Sequence, residues 1–287
     1  MFRLLRPRQW TKNLLLFAAL VFAKELFVSD AVFLASLGFA AFCLASSSVY
    51  IINDLLDAER DRLHPEKRNR PIASGAVAAD KAVLVAAALT VISLALAFWV
   101  APAFGIAVVL YLVLTHFYSL VGKNVVILDV LLIAFGFVIR AIAGALAIAV
   151  PISDWFILCM AFLALFLAVS KRKAELVALK EAAANTRPVL ERYTENSLDT
   201  YTAVTMAATL ICYGLYVFDF QKQAGGASKI LILTLPVAVF GVFRYHHLAE
   251  TTGMGDKPEE VLLRDRPIQV CALVFALVAV MALYLGL

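Results

Sequence analysis

Asn53-Asp54-Leu55-Leu56-Asp57-Ala58-Glu59-Arg60-Asp61-Arg62-Leu63-His64-Pro65-Glu66-Lys67-Arg68-Asn69-Arg70-Pro71 decides how this 287-residue sequence is read. It follows an apolar run over 31–52, and about 20 such residues suffice to cross a bilayer. If that helix continues through Asp61, a turn of about 100° per residue sets Asn53, Asp57, Asp61 and Asp54 at about 0°, 40°, 80° and 100°, all on one face. Glu59 falls at about 240°, away from that face. Three carboxylates and an amide beside a membrane repel one another unless a cation sits among them. Hard oxygen ligands of this kind suit Mg²⁺, completed by water and substrate phosphates. The plainer alternative is a helix end laced with salt bridges to Arg60, Arg62 and Lys67. The basic stretch favours the metal, because Lys67, Arg68 and Arg70 can hold the anion that it bridges. His64 precedes a proline, a position biased away from helix, and reads as a helix-ending residue.

Working outward, 63% of the residues are apolar and 16% charged, against about 45–50% and 25% in soluble domains. That excludes an ordinary soluble enzyme. Nine apolar runs fit membrane spans, at roughly 13–28, 31–52, 81–100, 103–119, 125–149, 155–170, 201–219, 229–246 and 267–286, the first short and weak. Of the 25 Lys and Arg, 21 fall in alternate segments on one side, which predicts a cytoplasmic N-terminus and an external C-terminus. The same segments hold 16 of the 21 acids. The positive-inside rule explains bases and not acids, so a polar site is expected at the cytoplasmic face. After the basic start, no small-residue cleavage site occurs before Lys24 and Glu25, so the first apolar run reads as a retained span. Cys43, Cys159, Cys212 and Cys271 stand singly in apolar runs and read as core residues, neither disulfide nor zinc ligands.

N-D-x-x-D-x-x-x-D followed by H-P-x-K-x-x-R-P, from Asn53 to Pro71, resembles the first aspartate-rich motif of the UbiA superfamily of intramembrane transferases, over essentially the whole chain. The resemblance implies an all-α integral membrane fold, with nine transmembrane helices around a cytoplasm-facing cavity. It implies one domain over 1–287, the half 1–150 holding the aspartate loop 53–80 and the half 151–287 holding a second loop, 171–199. It also implies Mg²⁺ on Asp54, Asp57 and Asp61. Members of the superfamily usually carry a second motif, D-x-x-x-D, after the sixth span. Here that place reads Lys171-Arg172-Lys173-Ala174-Glu175-Leu176, three cations and one carboxylate. Such an exchange favours a site that must neutralise a second anion, such as a phosphate acceptor. A positive-inside stop is the alternative.

With Arg6-Pro7-Arg8-Gln9-Trp10-Thr11-Lys12-Asn13, Tyr118, Lys123, Asp129, Arg140 to Gly144, and Leu263-Arg264-Asp265-Arg266, the pattern is similar to the polyprenyl-phosphate phosphoribosyltransferase branch. This implies transfer of 5-phosphoribose from phosphoribosyl pyrophosphate to a decaprenyl-type phosphate, towards a lipid-linked arabinose donor for cell-wall polysaccharide. Asp54, Asp57, Asp61, Lys67 and Arg70 then carry the chemistry. Asn53, Arg68, Tyr118, Lys123, Arg140, Lys171, Arg172, Glu175, Asp265 and Arg266 contact the donor, while Arg8, Trp10, Lys12 and Asn13 hold the lipid phosphate. Plainer roles stand beside these: an interfacial anchor at the N-terminus, a belt tyrosine at Tyr118, pairing of Lys123 with Asp129, and a structural ion pair at Arg140. Segment 178–198 is a cytoplasmic cap or a lid. The expected setting is a bacterial plasma membrane, with the bilayer as partner, no nucleic acid, and a homo-oligomer left open. A prenyltransferase with an aromatic acceptor is the alternative enzyme. A transporter or flippase is disfavoured, since no interrupted helix pair marks a midplane site.

Overall fold

The computed structural model describes residues 2–63, 67–182, 189–223, 230–252, 255, 261 and 264–284. The described residues form helices and turns, with no strand among them. The helices are α1 Ala18–Phe22, α2 Ser29–Leu56, α3 Ala58–Leu63, α4 Ala79–Val100, α5 Pro102–Leu120, α6 Leu128–Ala147, α7 Asp154–Ala182, α8 Glu195–Gln223, α9 Thr234–Thr252 and α10 Arg266–Tyr284. Eight segments among the described residues are long and apolar enough to cross a membrane, matching the second to ninth expected spans. The first expected span takes another form. It is an 11-residue 3₁₀-helix, Pro7–Phe17, followed by the five residues of α1, and Lys24 at φ 64 ends it.

Two compact units arise: Met1–Leu120 with Ile139–Pro151, and Val121–Val138 with Ile152–Leu287. In the first, α2 packs along α4 and the Pro7–Phe17 segment. Its inward face is made of small residues, Ala31, Ala35, Gly38, Ala41, Ala45 and Ser46 to Ser48, which let membrane helices approach closely. Two polar ties join α2 to α4: Ser93 Oγ donates to Ala41 O at 2.8 Å, and Ser48 and Thr90 share a hydroxyl bond of 2.6 Å. Leu16, Phe42, Val49, Phe104, Val108 and Tyr111 fill the core. The outer positions of α4, Val83, Leu84, Val91, Ile92 and Trp99, are exposed apolar residues, as expected of a lipid-facing helix surface.

The 3₁₀ geometry of Pro7–Phe17 explains its packing. Residues three apart eclipse one another in such a helix, so Trp10, Asn13 and Leu16 lie in one row. Trp10 Nε1 donates to Ser47 Oγ at 3.0 Å, Asn13 Nδ2 to Ser46 Oγ at 3.2 Å, and Leu16 is fully buried. Beyond Leu16 the segment meets α6 backbone to backbone: a Cβ on Gly144 would stand 2.2 Å from Leu16 O. Glycine is required there.

In the second unit α7 pairs with α8, and α9 with α10. Phe166, Tyr245, Leu248, Val261 and Ile268 form one core cluster; Val130, Val169, Leu176, Val189, Tyr193 and Leu198 form another. Asp265 caps α10, accepting from Ile268 N at 2.9 Å and from Arg244 Nη2 at 2.9 Å. The Arg244 guanidinium foremost holds the Asp265 carboxyl below its ordinary range; burial opposes it, and the Ile268 amide adds to the lowering.

Candidate active site

The aspartate-rich stretch is nearly, and not wholly, one helix. α2 ends at Leu56, Asp57 sits in a turn at φ −98 and ψ 5, and α3 resumes at Ala58. The bonds Asp57 N to Asn53 O, 3.0 Å, and Asp61 N to Asp57 O, 2.8 Å, carry the helical period across that turn. The helical period therefore runs on through this turn. Asp54 and Asp61 point inward and are buried, Asn53 and Asp57 are half-buried, and Glu59 is exposed.

Arg70 closes this face. Its Nη1 donates to Asp54 Oδ1 at 3.1 Å and to Asp61 Oδ2 at 2.6 Å. Arg6 Nη2 also bonds Asp54 Oδ1, while its guanidinium lies 5.4 Å from the centre of the Tyr50 ring. Burial pulls the Arg6 guanidinium below its ordinary pKa, with Asp54 opposing. Arg6 reaches this position with φ 51 and ψ 57, a left-handed turn immediately before the 3₁₀-helix. Two buried carboxylates converging on one cationic nitrogen form a site that calls for positive charge. Among the described residues no group of three or more acidic, histidine or cysteine side chains gathers closely enough to hold an ion unaided. The donor chemistry still fits Mg²⁺, which takes one or two carboxylates and completes its shell with water and phosphate oxygens. Lys67 is half-buried and Arg68 exposed.

A second polar tie in the same unit surrounds Arg140, which is 5% exposed. Its Nε donates to Asn13 Oδ1 at 2.8 Å and its Nη2 to Tyr111 Oη at 2.8 Å. Its guanidinium also stacks 4.6 Å from the Tyr111 ring centre. Asn13 is fully enclosed, whereas Arg8 is exposed and Trp10 and Lys12 are half-buried. Tyr118 at the end of α5 is half-buried.

The other unit has its own buried charge centre. Arg172, 1% exposed, donates from Nε to Asp129 Oδ2 at 2.5 Å and from Nη1 to Glu175 Oε2 at 2.5 Å. Tyr193 Oη donates to Asp129 Oδ1 at 2.7 Å and accepts from Ile127 N at 2.7 Å. Burial first, and the Asp129 carboxylate next, push the Tyr193 phenol above its ordinary value, so it remains a donor. Lys171 and Lys123 are half-buried, Asp265 is half-buried, and Arg266 is exposed. Lys173 bridges Asp199 and Glu250, each at 2.5 Å. His64 and Pro65 of the motif, Leu263, and 183–188 of the cap-or-lid segment lie outside the described residues.

Sequence reasoning grouped Arg6 with an interfacial anchor and missed its contact with Asp54. It also missed Tyr111 and Tyr193. Asp129 carried a usable signal, since an acid in the first turn of an apolar helix needs a cation, and Arg172 pairs with it. No sequence feature pointed to Tyr193.

The fold and these two centres define a multi-pass helical membrane protein with buried ionic clusters. The chain belongs to the UbiA prenyltransferase family, whose model matches residues 14–257. It is 38% identical over 276 residues to the decaprenyl-phosphate phosphoribosyltransferase of Mycolicibacterium smegmatis, covering 92% of this chain and 86% of that one. The enzyme of the same name from Corynebacterium glutamicum is 34% identical over 289 residues, covering 99% and 87%. Among solved structures, a UbiA homologue from Archaeoglobus fulgidus bound to DMAPP and Mg²⁺ superimposes with a TM-score of 0.72 at 21% identity, covering 98% of each chain.

Proposed function

We propose that this chain transfers 5-phosphoribose from phosphoribosyl pyrophosphate to a polyprenyl phosphate of the decaprenyl type and releases pyrophosphate. The observation that carries this reading is the similarity to phosphoribosyltransferases of that name over most of both chains. The Asp54, Asp61 and Arg70 cluster falls inside the family match. In this reading Asp54, Asp57 and Asp61 would hold Mg²⁺, which would supply neutralisation of the charge that grows on departing pyrophosphate.

Arg6 and Arg70 hold Asp54, and Arg70 also holds Asp61, in their inward-facing positions, and Lys67 and Arg68 attract the donor's phosphates. Lys123, Lys171, Arg172 and Glu175 supply the charges for the sugar phosphate, with Tyr118 and Arg266 as further donor contacts. Arg8, Trp10 and Lys12 meet the lipid phosphate, while Asn13 and Arg140 anchor that segment from beneath. The acceptor is already an anion, so no nucleophilic side chain or general base is needed, and rate comes from positioning and electrostatics. Attack on the face opposite the leaving group inverts C1, through a transition state like an oxocarbenium ion. The chain is placed in a bacterial plasma membrane with its N-terminus cytoplasmic and its C-terminus outside. Its product feeds a lipid-linked arabinose donor for cell-wall polysaccharide.

The test is purified protein with ribose-labelled phosphoribosyl pyrophosphate, Mg²⁺ and decaprenyl phosphate. A labelled lipid is expected. No labelled lipid, with transfer of a prenyl chain from its diphosphate to an aromatic acid, overturns the reading.

A further inference from the structure

Ile127 adopts φ 69, a left-handed conformation that costs a β-branched residue more than almost any other. It lies immediately before α6 and two residues before Asp129. One hydroxyl ties its amide to Asp129: Tyr193 Oη accepts from Ile127 N and donates to Asp129 Oδ1, both at 2.7 Å. A hydroxyl can do both at once, whereas Phe, Lys or a carboxylate cannot. From Asp129 Oδ2 the connection runs through the Arg172 guanidinium to Glu175 Oε2. From Asp129 outward exposure rises, with side chains 0% exposed at Asp129, 1% at Arg172 and 24% at Glu175. Tyr193 follows the 3₁₀ turn Leu190–Arg192 and is itself buried among Val130, Leu176 and Leu198. It is 66 residues from Ile127 in sequence, so this contact folds the segment after the 171–182 helix end back onto the start of α6.

We infer that Tyr193 is a positioning residue, which pins the strained Ile127 backbone to Asp129 and so presents the Arg172–Glu175 pair in one orientation to the phosphorylated donor. This rests on the phosphoribosyl-transfer reading above. The hydroxyl touches no substrate; it acts through Asp129.

Tyr193→Phe keeps the ring in its apolar pocket and removes both bonds. The expected result is a rise in KM for phosphoribosyl pyrophosphate of about tenfold, the lower range for residues that orient a ligand from behind, with KM for decaprenyl phosphate and kcat little changed. Asp129→Asn should raise the same KM, and the double variant Y193F/D129N should be no worse than D129N alone. Ile127→Gly removes the backbone strain, so I127G/Y193F keeps the fold even where Y193F does not, and should still show the raised KM. A wild-type KM in Y193F or in I127G/Y193F overturns the inference, as do additive effects in the Tyr193 and Asp129 pair. So does a lowered melting temperature with a smaller active fraction and unaltered KM. Wild-type protein that makes no labelled lipid overturns the functional reading instead, which separates the two failures.

Discussion

At Arg70 one nitrogen serves two buried carboxylates, and removing it takes the cation from between Asp54 and Asp61, leaving Arg6 on Asp54. Arg70→Gln should lower kcat/KM for the donor on the order of 100-fold, the scale of losing one electrostatic contact at a reacting centre. Asp61→Asn should do the same, while Glu59→Gln, exposed and on the other side of the helix, should stay within about twofold, a change typical of surface substitutions away from a site. Equal losses at Glu59 and Asp61 would contradict the one-face geometry. Asn13 offers a stability test: Asn13→Ala leaves Arg140 Nε without the oxygen it bonds at 2.8 Å. The cost should be about 1–2 kcal/mol, the range for bonds to charged groups and for ties between membrane helices, read as a lower melting temperature in detergent. At this scale the sequence made the inward pairing of Asp54 and Asp61 legible because the turn at Asp57 keeps the i to i−4 bonds. It left Arg6 obscure, since its partner lies 48 residues away and periodicity reports only neighbours on one helix.

Among the elements, Gly144 is the tightest junction. A methyl group at Gly144 meets the Leu16 carbonyl, so Gly144→Ala must push the Pro7–Phe17 helix away from α6. Because Arg6 precedes that helix and bonds Asp54, the same variant should lose activity together with thermal stability; full activity in a destabilised G144A protein would contradict this coupling. The cap of α10 gives a pH dependence. Asp265 has a lowered pKa in the folded chain, so its stabilising effect is complete above the unfolded value of about 3.9 and fades as pH falls through that value and beyond. Acid scans of melting temperature should therefore show a steeper fall for wild type than for Asp265→Asn, which has already lost the charge. Eight spans were legible as long apolar runs, whereas the N-terminal run, read as a short span over 13–28, takes the form of a 3₁₀-helix and one short α-helix, with the inward row Trp10, Asn13 and Leu16 repeating every three residues.

For the whole molecule, the sequence reads as one domain whose halves meet near residue 150, and the compact units change over after Leu120, within α6 after Val138, and again after Pro151. One apolar helix carrying Asp129 at its start and Arg140 near its middle serves both units, and hydropathy treats it as a single run. Charge, in contrast, foretold the polar centres: few ionisable residues, concentrated in a few segments, gave both the Asp54 and the Arg172 clusters. The central claim is phosphoribosyl transfer to a lipid phosphate, and the product itself tests it most directly. Lipid extracted after reaction with phosphoribosyl pyrophosphate, Mg²⁺ and decaprenyl phosphate should gain one phosphopentose by mass spectrometry, with C1 inverted relative to the donor by NMR. An unchanged lipid phosphate, or a prenylated aromatic acid formed from a prenyl diphosphate in its place, would contradict the account.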